Sequence, residues 1–121
     1  MVSTSPAVRA STRSEPFNPA FNTVSVVDMT DKSSPVSLAR IEYTDDGYSH
    51  QGWLSPDQSY FFHNDELDEV GHGIDTTTRI FDVRDPDDPV LVEAMEHSTT
   101  SIGHNAYTEG RFLFASNYTA G

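Results

Sequence analysis

The 121-residue chain contains no cysteine. That absence excludes disulfides, thiolate metal sites and cysteine nucleophiles, and it leaves the redox compartment open. Cations are nearly as scarce. Lysine occurs once, at Lys32, and seven Lys and Arg face 19 Asp and Glu, for a formal net charge of −12. Nucleic acid and anionic membranes both require a cationic face, so neither is expected as a partner. No apolar run approaches the roughly eighteen residues of a membrane span, so no membrane insertion is expected. The opening stretch "MVSTSPAVRASTRSEP" lacks the apolar core that a signal peptide carries, and residues 1–21 read as a disordered lead-in. No helix-length window shows an amphipathic stripe.

The chain does hold thirteen aromatic residues, short β-branched runs and turn-forming clusters such as "SPDQ", "TDDG" and "RDPDDP". This composition suits short strands. Acidic residues concentrate between Glu42 and Glu96, with fifteen Asp or Glu against two Arg. Cation attraction is the natural consequence.

An internal repeat organises the rest. "VSVVDMTDKSSPVSLARIEY" (24–43) aligns with "TRIFDVRDPDDPVLVEAMEH" (78–97) at an offset of 54. Asp28/Asp82, Asp31/Asp85, Pro35/Pro89, Val36/Val90 and Glu42/Glu96 are identical. The same offset pairs His50 with His104 and Trp53 with Tyr107, and after a two-residue shortening Asp65 meets Asn117. Each unit contains four strand-length pieces, clearest at 49–54, 59–64, 77–83 and 90–96. Four short antiparallel strands per repeat is the pattern of a β-propeller blade. The fold expected is therefore all-β, a β-propeller fragment over 22–121. One complete four-stranded blade (49–97) is flanked by the outer strands of one blade (24–43) and the inner strands of the next (101–118). The remaining blades of a larger ring would be its first partners.

The blade "TRIFDVRDPDDPVLVEAM" resembles LVIVD-repeat propellers. With "HQGWL", "FFHNDELDE" and "GHNAYTEGRFLFASNY", the stretch 22–121 is similar more specifically to the choice-of-anchor B family. That resemblance implies a secreted or surface-attached propeller, hence an extracellular or cell-surface location, with an anchor that varies between members. It implies no particular reaction.

Strands of a blade alternate direction, which places the entry to the inner strand and the loop after the second strand on one face. His50 and His104 stand at the starts of successive inner strands. Asp65, Glu66, Asp68 and Glu69 of "HNDELDE" follow a second strand. These six are the candidate metal ligands. Imidazoles suit zinc, iron or manganese, and clustered carboxylates suit Ca2+. The segment has neither the EF-hand spacing nor H-E-x-x-H. The alternatives are a solvated acidic loop, and histidines that latch one blade to the backbone of its neighbour. His63, His72 and His97 read as surface residues. Trp53 and Tyr107 are expected between blades, and Phe61, Phe62, Phe81, Phe112 and Phe114 in the core. Asp28 and Asp82 are expected to bond the turn after their strand. "NYT" at 117–119 matches a glycosylation sequon.

Two functions fit these residues. One is a non-enzymatic repeat scaffold or binding module for a protein or glycan ligand, with a divalent cation at the channel mouth. The other is a metal-dependent enzyme with His50 and His104 as ligands and Asp65 or Glu66 as ligand or base.

Overall fold

The computed structural model describes residues 8–13 and 23–121. Among them run β1 (Val8–Arg13), β2 (Thr23–Asp28), β3 (Val36–Ile41), β4 (Ser49–Leu54), β5 (Tyr60–Asp65), α1 (Asp68–His72), β6 (Thr77–Asp82), β7 (Val90–Glu96), β8 (Gly103–Glu109) and β9 (Phe112–Asn117). All pairings are antiparallel, in three sheets ordered β1-β2-β3, β4-β5-β6-β7 and β8-β9. The all-β class expected from composition and turn chemistry is what the chain adopts.

Two departures concern elements. Val8–Arg13 lies in the stretch expected to be disordered, yet it forms β1 and pairs along the whole of β2. An open strand edge presents unpaired N–H and C=O groups, and β1 supplies partners for those of β2. Residues 1–7 and 14–21, the rest of the expected lead-in, lie outside the described residues. The second departure is α1, a single five-residue turn of helix. It is too short to show helical periodicity, and it ends at Gly73, whose left-handed φ of 69° lets its N–H reach the Glu69 carbonyl.

The turns follow their side chains. Asp28 Oδ1 accepts from the N–H and hydroxyl of Thr30, and Asp82 Oδ1 accepts from the N–H of Arg84, so both close the turn after their strand as expected. Ser55 Oγ accepts from the N–H groups of Ser59 and Tyr60, tightening the connection from β4 to β5.

The core lies between the first two sheets. Val24, Val26 and Ile41 meet Phe61 and Phe81, with Leu38, Tyr43, Leu54 and Val83 around them. Each fully buried aliphatic or phenyl side chain contributes about 1.5–3 kcal/mol. Gly52 sits where a Cβ would come within 2.2 Å of the Phe61 ring, so β4 approaches β5's core side chain as only glycine permits. Phe62 is half-buried on the opposite face. Phe112 and Phe114, expected in the core, are exposed, and so are Trp53 and Tyr107, expected between blades. Their faces are covered by no further sheet among the described residues. Tyr107 instead stacks on Phe114 at 5.1 Å with the rings 13° apart.

Sheets two and three join along their leading strands. β4 lies beside β8 and also beside β1. The Gln51 amide clamps the seam: its Nε2 donates to the Ala106 carbonyl (2.7 Å) and its Oε1 accepts from the Ala106 N–H (2.6 Å). Thr108 Oγ1 adds a bond to the Leu54 carbonyl (2.8 Å). The side chain thus imitates one residue of a β-ladder between strands that do not pair by backbone. The strand starts Thr23 and Thr77, Val36 and Val90, and Ser49 and Gly103 are each 54 residues apart. Register shifts recur at the same spacing, at Val26/Val27 and Ile80/Phe81, and from Ser49 and from Gly103.

Gln51→Ala removes both bonds and strands the Ala106 donor and acceptor in the seam. A loss of about 1–3 kcal/mol of stability is expected from urea unfolding of the two proteins.

Candidate functional site

β5 reads Y-F-F-H-N-D, and its last three residues are polar yet buried, His63, Asn64 and Asp65. Asp65 explains the burial. Its carboxylate is 1% exposed and accepts from the N–H groups of Tyr48 (2.7 Å), Gly47 (2.9 Å), Leu67 (3.0 Å) and Asp68 (3.1 Å), and from the Tyr43 hydroxyl (2.8 Å). Burial alone would raise its pKa, but the donors from Tyr48, Gly47, Leu67 and Tyr43 outweigh it and hold the group below the usual carboxylate range. Asp65 therefore ties the "TDDG" turn before β4 to the loop after β5.

Asp68 is 0% exposed and pairs with Arg79 Nη1 at 2.8 Å. Arg79 Nη2 donates to the carbonyls of Thr44 and Asp45, and the guanidinium lies 4.6 Å from the centre of the Tyr43 ring. Burial pushes the Asp68 carboxyl upward, with the hydrogen bond from Arg79 pulling the other way. Glu69, 6% exposed, accepts from the Gly103 N–H at 2.8 Å. The expectation of a solvated acidic loop is thus corrected: three of the four acids turn inward because each finds donors there.

Glu66 is the fourth, and it sits at the rim. Its N–H donates to the Tyr48 carbonyl (2.9 Å), and its carboxylate faces His50 Nδ1 at 3.3 Å and His104 Nε2 at 3.8 Å. The two imidazoles stack at 4.5 Å, 24° from parallel. Tyr118 donates its hydroxyl to Glu66 Oε1, and its ring lies 5.1 Å from that of His104. That hydrogen bond is the main reason the Tyr118 phenol is raised above its ordinary pKa. One ligand-capable atom from each of His50, Glu66 and His104 lies within 4.8 Å of the others.

Backbone irregularities aim the histidines. Ser49 pairs with Asp65 and Gln51 with Asn64, which leaves His50 as the additional residue of a bulge. In β8 the register likewise jumps between Gly103 and Ala106, across His104. A bulge redirects a side chain out of the strict alternation of a strand. His50 can then face Glu66 while its neighbour Gln51 clamps β8. Gln51 makes an inter-sheet bond to backbone of the kind expected from the histidines.

Of the six candidate ligands, His50, His104 and Glu66 come together, Asp65 and Asp68 are committed to the inner network, and Glu69 turns to the Gly103 N–H. Gln51, Arg79 and Tyr118 were not singled out by sequence. Tyr118 carried a signal, because it follows Asn117 as Glu66 follows Asp65. Among the other histidines, His72 is exposed and bonds the Asp46 carbonyl, and His97 is half-buried beside Thr78 Oγ1. His63 is fully buried, not at the surface as expected, with Nε2 2.9 Å from Ser49 Oγ and its ring against Tyr43 and Phe81. Asn117 of the sequon is buried as well, which opposes glycan attachment.

Burial is the first cause that drives the pKa of His63 down from 6.5 to about 3, with the charge of Arg79 second. The unfolded chain takes up this proton below its ordinary pKa, whereas the folded chain refuses it until about pH 3. Stability is therefore expected to fall as pH drops from about 6.5 toward 3. Wild type should lose stability relative to His63→Phe as urea unfolding is repeated down that window. An unchanging difference would refute the assignment. Breaking the buried ion pair, with Arg79→Leu, should cost about 3–5 kcal/mol by leaving Asp68 unpaired. Comparison of the chain with protein-family models, curated proteins and solved structures finds no match in any of the three.

Proposed function

We propose that this chain is part of a β-propeller-type repeat scaffold that holds a divalent transition metal at the seam between successive sheets, a binding module and not an enzyme. The observation that carries the reading is the convergence of His50, Glu66 and His104, from three separate segments, to within 4.8 Å. Two imidazoles with one carboxylate form a ligand set suited to zinc, manganese or iron and poorly suited to calcium, which takes oxygens. Two ligand atoms on one tetrahedral zinc stand about 3.4 Å apart, given bonds of about 2.1 Å. Glu66 offers one oxygen to each imidazole, Oε2 at 3.3 Å from His50 Nδ1 and Oε1 at 3.8 Å from His104 Nε2.

The scaffold reading is supported by the 54-residue recurrence of strand starts and of register shifts. It is also supported by the lateral placement of β4 against β8, as inner strands of adjoining blades would lie. Resemblance to choice-of-anchor B proteins favours an exported or surface-attached parent, with further blades as partners.

Calorimetric titration with zinc chloride after chelator treatment tests the site. One equivalent should bind, and His50→Ala or His104→Ala should each weaken it at least about tenfold. Affinity should also fall on acidification, because protons compete for the imidazoles. Absence of binding, or binding indifferent to both substitutions, would remove the metal from the proposal.

A further inference from the structure

Glu69 belongs to neither the His50–Glu66–His104 group nor the Arg79 pair, and its carboxylate is poorly served. It is 6% exposed, Oε1 takes a single bond from the Gly103 N–H, and Oε2 has no hydrogen-bond partner among the described residues. A buried carboxylate with one donor is an unbalanced charge.

Two other buried side chains near it share the deficit. Among the described residues, Asn64, 1% exposed, has no partner for its amide oxygen or nitrogen, and Asn117, 9% exposed, has none for its Oδ1. Strand geometry turns all three toward the seam between the second and third sheets. Gly103 and Asn117 are Cα partners across β8 and β9, so the Asn117 side chain leaves the sheet on the side where a Gly103 Cβ would stand. A Cβ there would lie 3.3 Å from Glu69 Oε1, the Asp65 carbonyl oxygen and Thr76 Cγ2. His63 faces the core between the first two sheets, so Asn64, the next residue of β5, faces the opposite way, toward β8. The seam between the second and third sheets therefore receives one carboxylate oxygen and two amide oxygens, all buried and without a hydrogen-bond partner among the described residues.

We propose that this seam binds a hard divalent cation of the calcium class through Glu69 Oε2, Asn64 Oδ1 and Asn117 Oδ1. The ligand set is all oxygen and carries one negative charge, which selects calcium over the softer metals that imidazoles favour. The site lies inside the seam, whereas the His50–Glu66–His104 group lies at its rim, so the two are expected to load independently.

The test is thermal unfolding of the 121-residue chain, stripped with chelator and titrated with calcium chloride. Saturating calcium should raise the Tm by about 5 °C or more. The increment should persist in the His50→Ala/His104→Ala double variant and vanish in Glu69→Gln. Comparing calcium-induced increments separates ligand loss from any general destabilisation. Should Glu69→Gln fail to fold, Asn117→Asp decides: a second carboxylate in the ligand set should lower the calcium concentration needed for the half-maximal shift at least about threefold, and an unchanged midpoint overturns the proposal. No increment in the wild type, as when water alone bridges these groups, also overturns it. So does an increment lost with the two histidines and retained in Glu69→Gln. Zinc binding at the rim is read separately, so either site can fail without the other.

Discussion

The carboxylate of Asp65 is the constraint on which the candidate site depends. It gathers four backbone N–H groups and the Tyr43 hydroxyl. Two of the N–H groups come from the turn before β4 and two from the loop after β5. A buried carboxylate is tolerated only where donors replace its lost water, and five donors do so here. The return is positional. Both ends of the β4–β5 pair are held to one point, so Glu66, the next residue, has little freedom in where its carboxylate emerges. Arg79 extends the network by neutralising Asp68 and bonding the carbonyls of Thr44 and Asp45. The acids of "HNDELDE" repel one another in an extended chain. Folding separates their tasks, with Asp65, Asp68 and Glu69 each given a different set of donors.

The bulges make the second contribution. In an undisturbed strand, His50 and Gln51 would point to opposite faces and only one could serve the seam. The additional residue in β4 lets Gln51 reach across to Ala106 while His50 turns to Glu66. The register shift across His104 is the counterpart in β8. The stacked imidazoles therefore owe their approach to two local backbone irregularities and to the amide clamp between them. The rings stack directly at 4.5 Å, and the Glu66 carboxylate faces one nitrogen of each.

Much of this was legible in the residues. Strand positions followed from alternation and from turn clusters, because those signals are local. The meeting of His50 with His104 followed from the 54-residue offset, which sets the two at corresponding places of neighbouring sheets. Burial was not legible. Charge and hydropathy put Asp65, Asp68, Glu69 and His63 in solvent, but each has a partner 11 to 34 residues away that comes into reach only once the sheets are assembled. The opposite error concerns Trp53, Tyr107, Phe112 and Phe114. Aromatic character predicts burial only where something covers the face, and the described residues supply no sheet there. The helix α1 went unseen because five residues carry no period.

The seam between the second and third sheets brings these points together. Its outer edge is fastened by neutral hydrogen bonds from Gln51 and Thr108, and its inner edge by the charged Glu69 on the Gly103 N–H. Apolar side chains hold the first seam, where Val24, Val26, Phe61 and Phe81 interlock. Polar groups carry much more of the second. A polar seam is stronger per contact and less forgiving, because each unpartnered atom subtracts from it. Asn64, Glu69 and Asn117 thus mark the place where this junction most needs a further partner. A divalent cation would meet three oxygens at once, which no single added side chain could do.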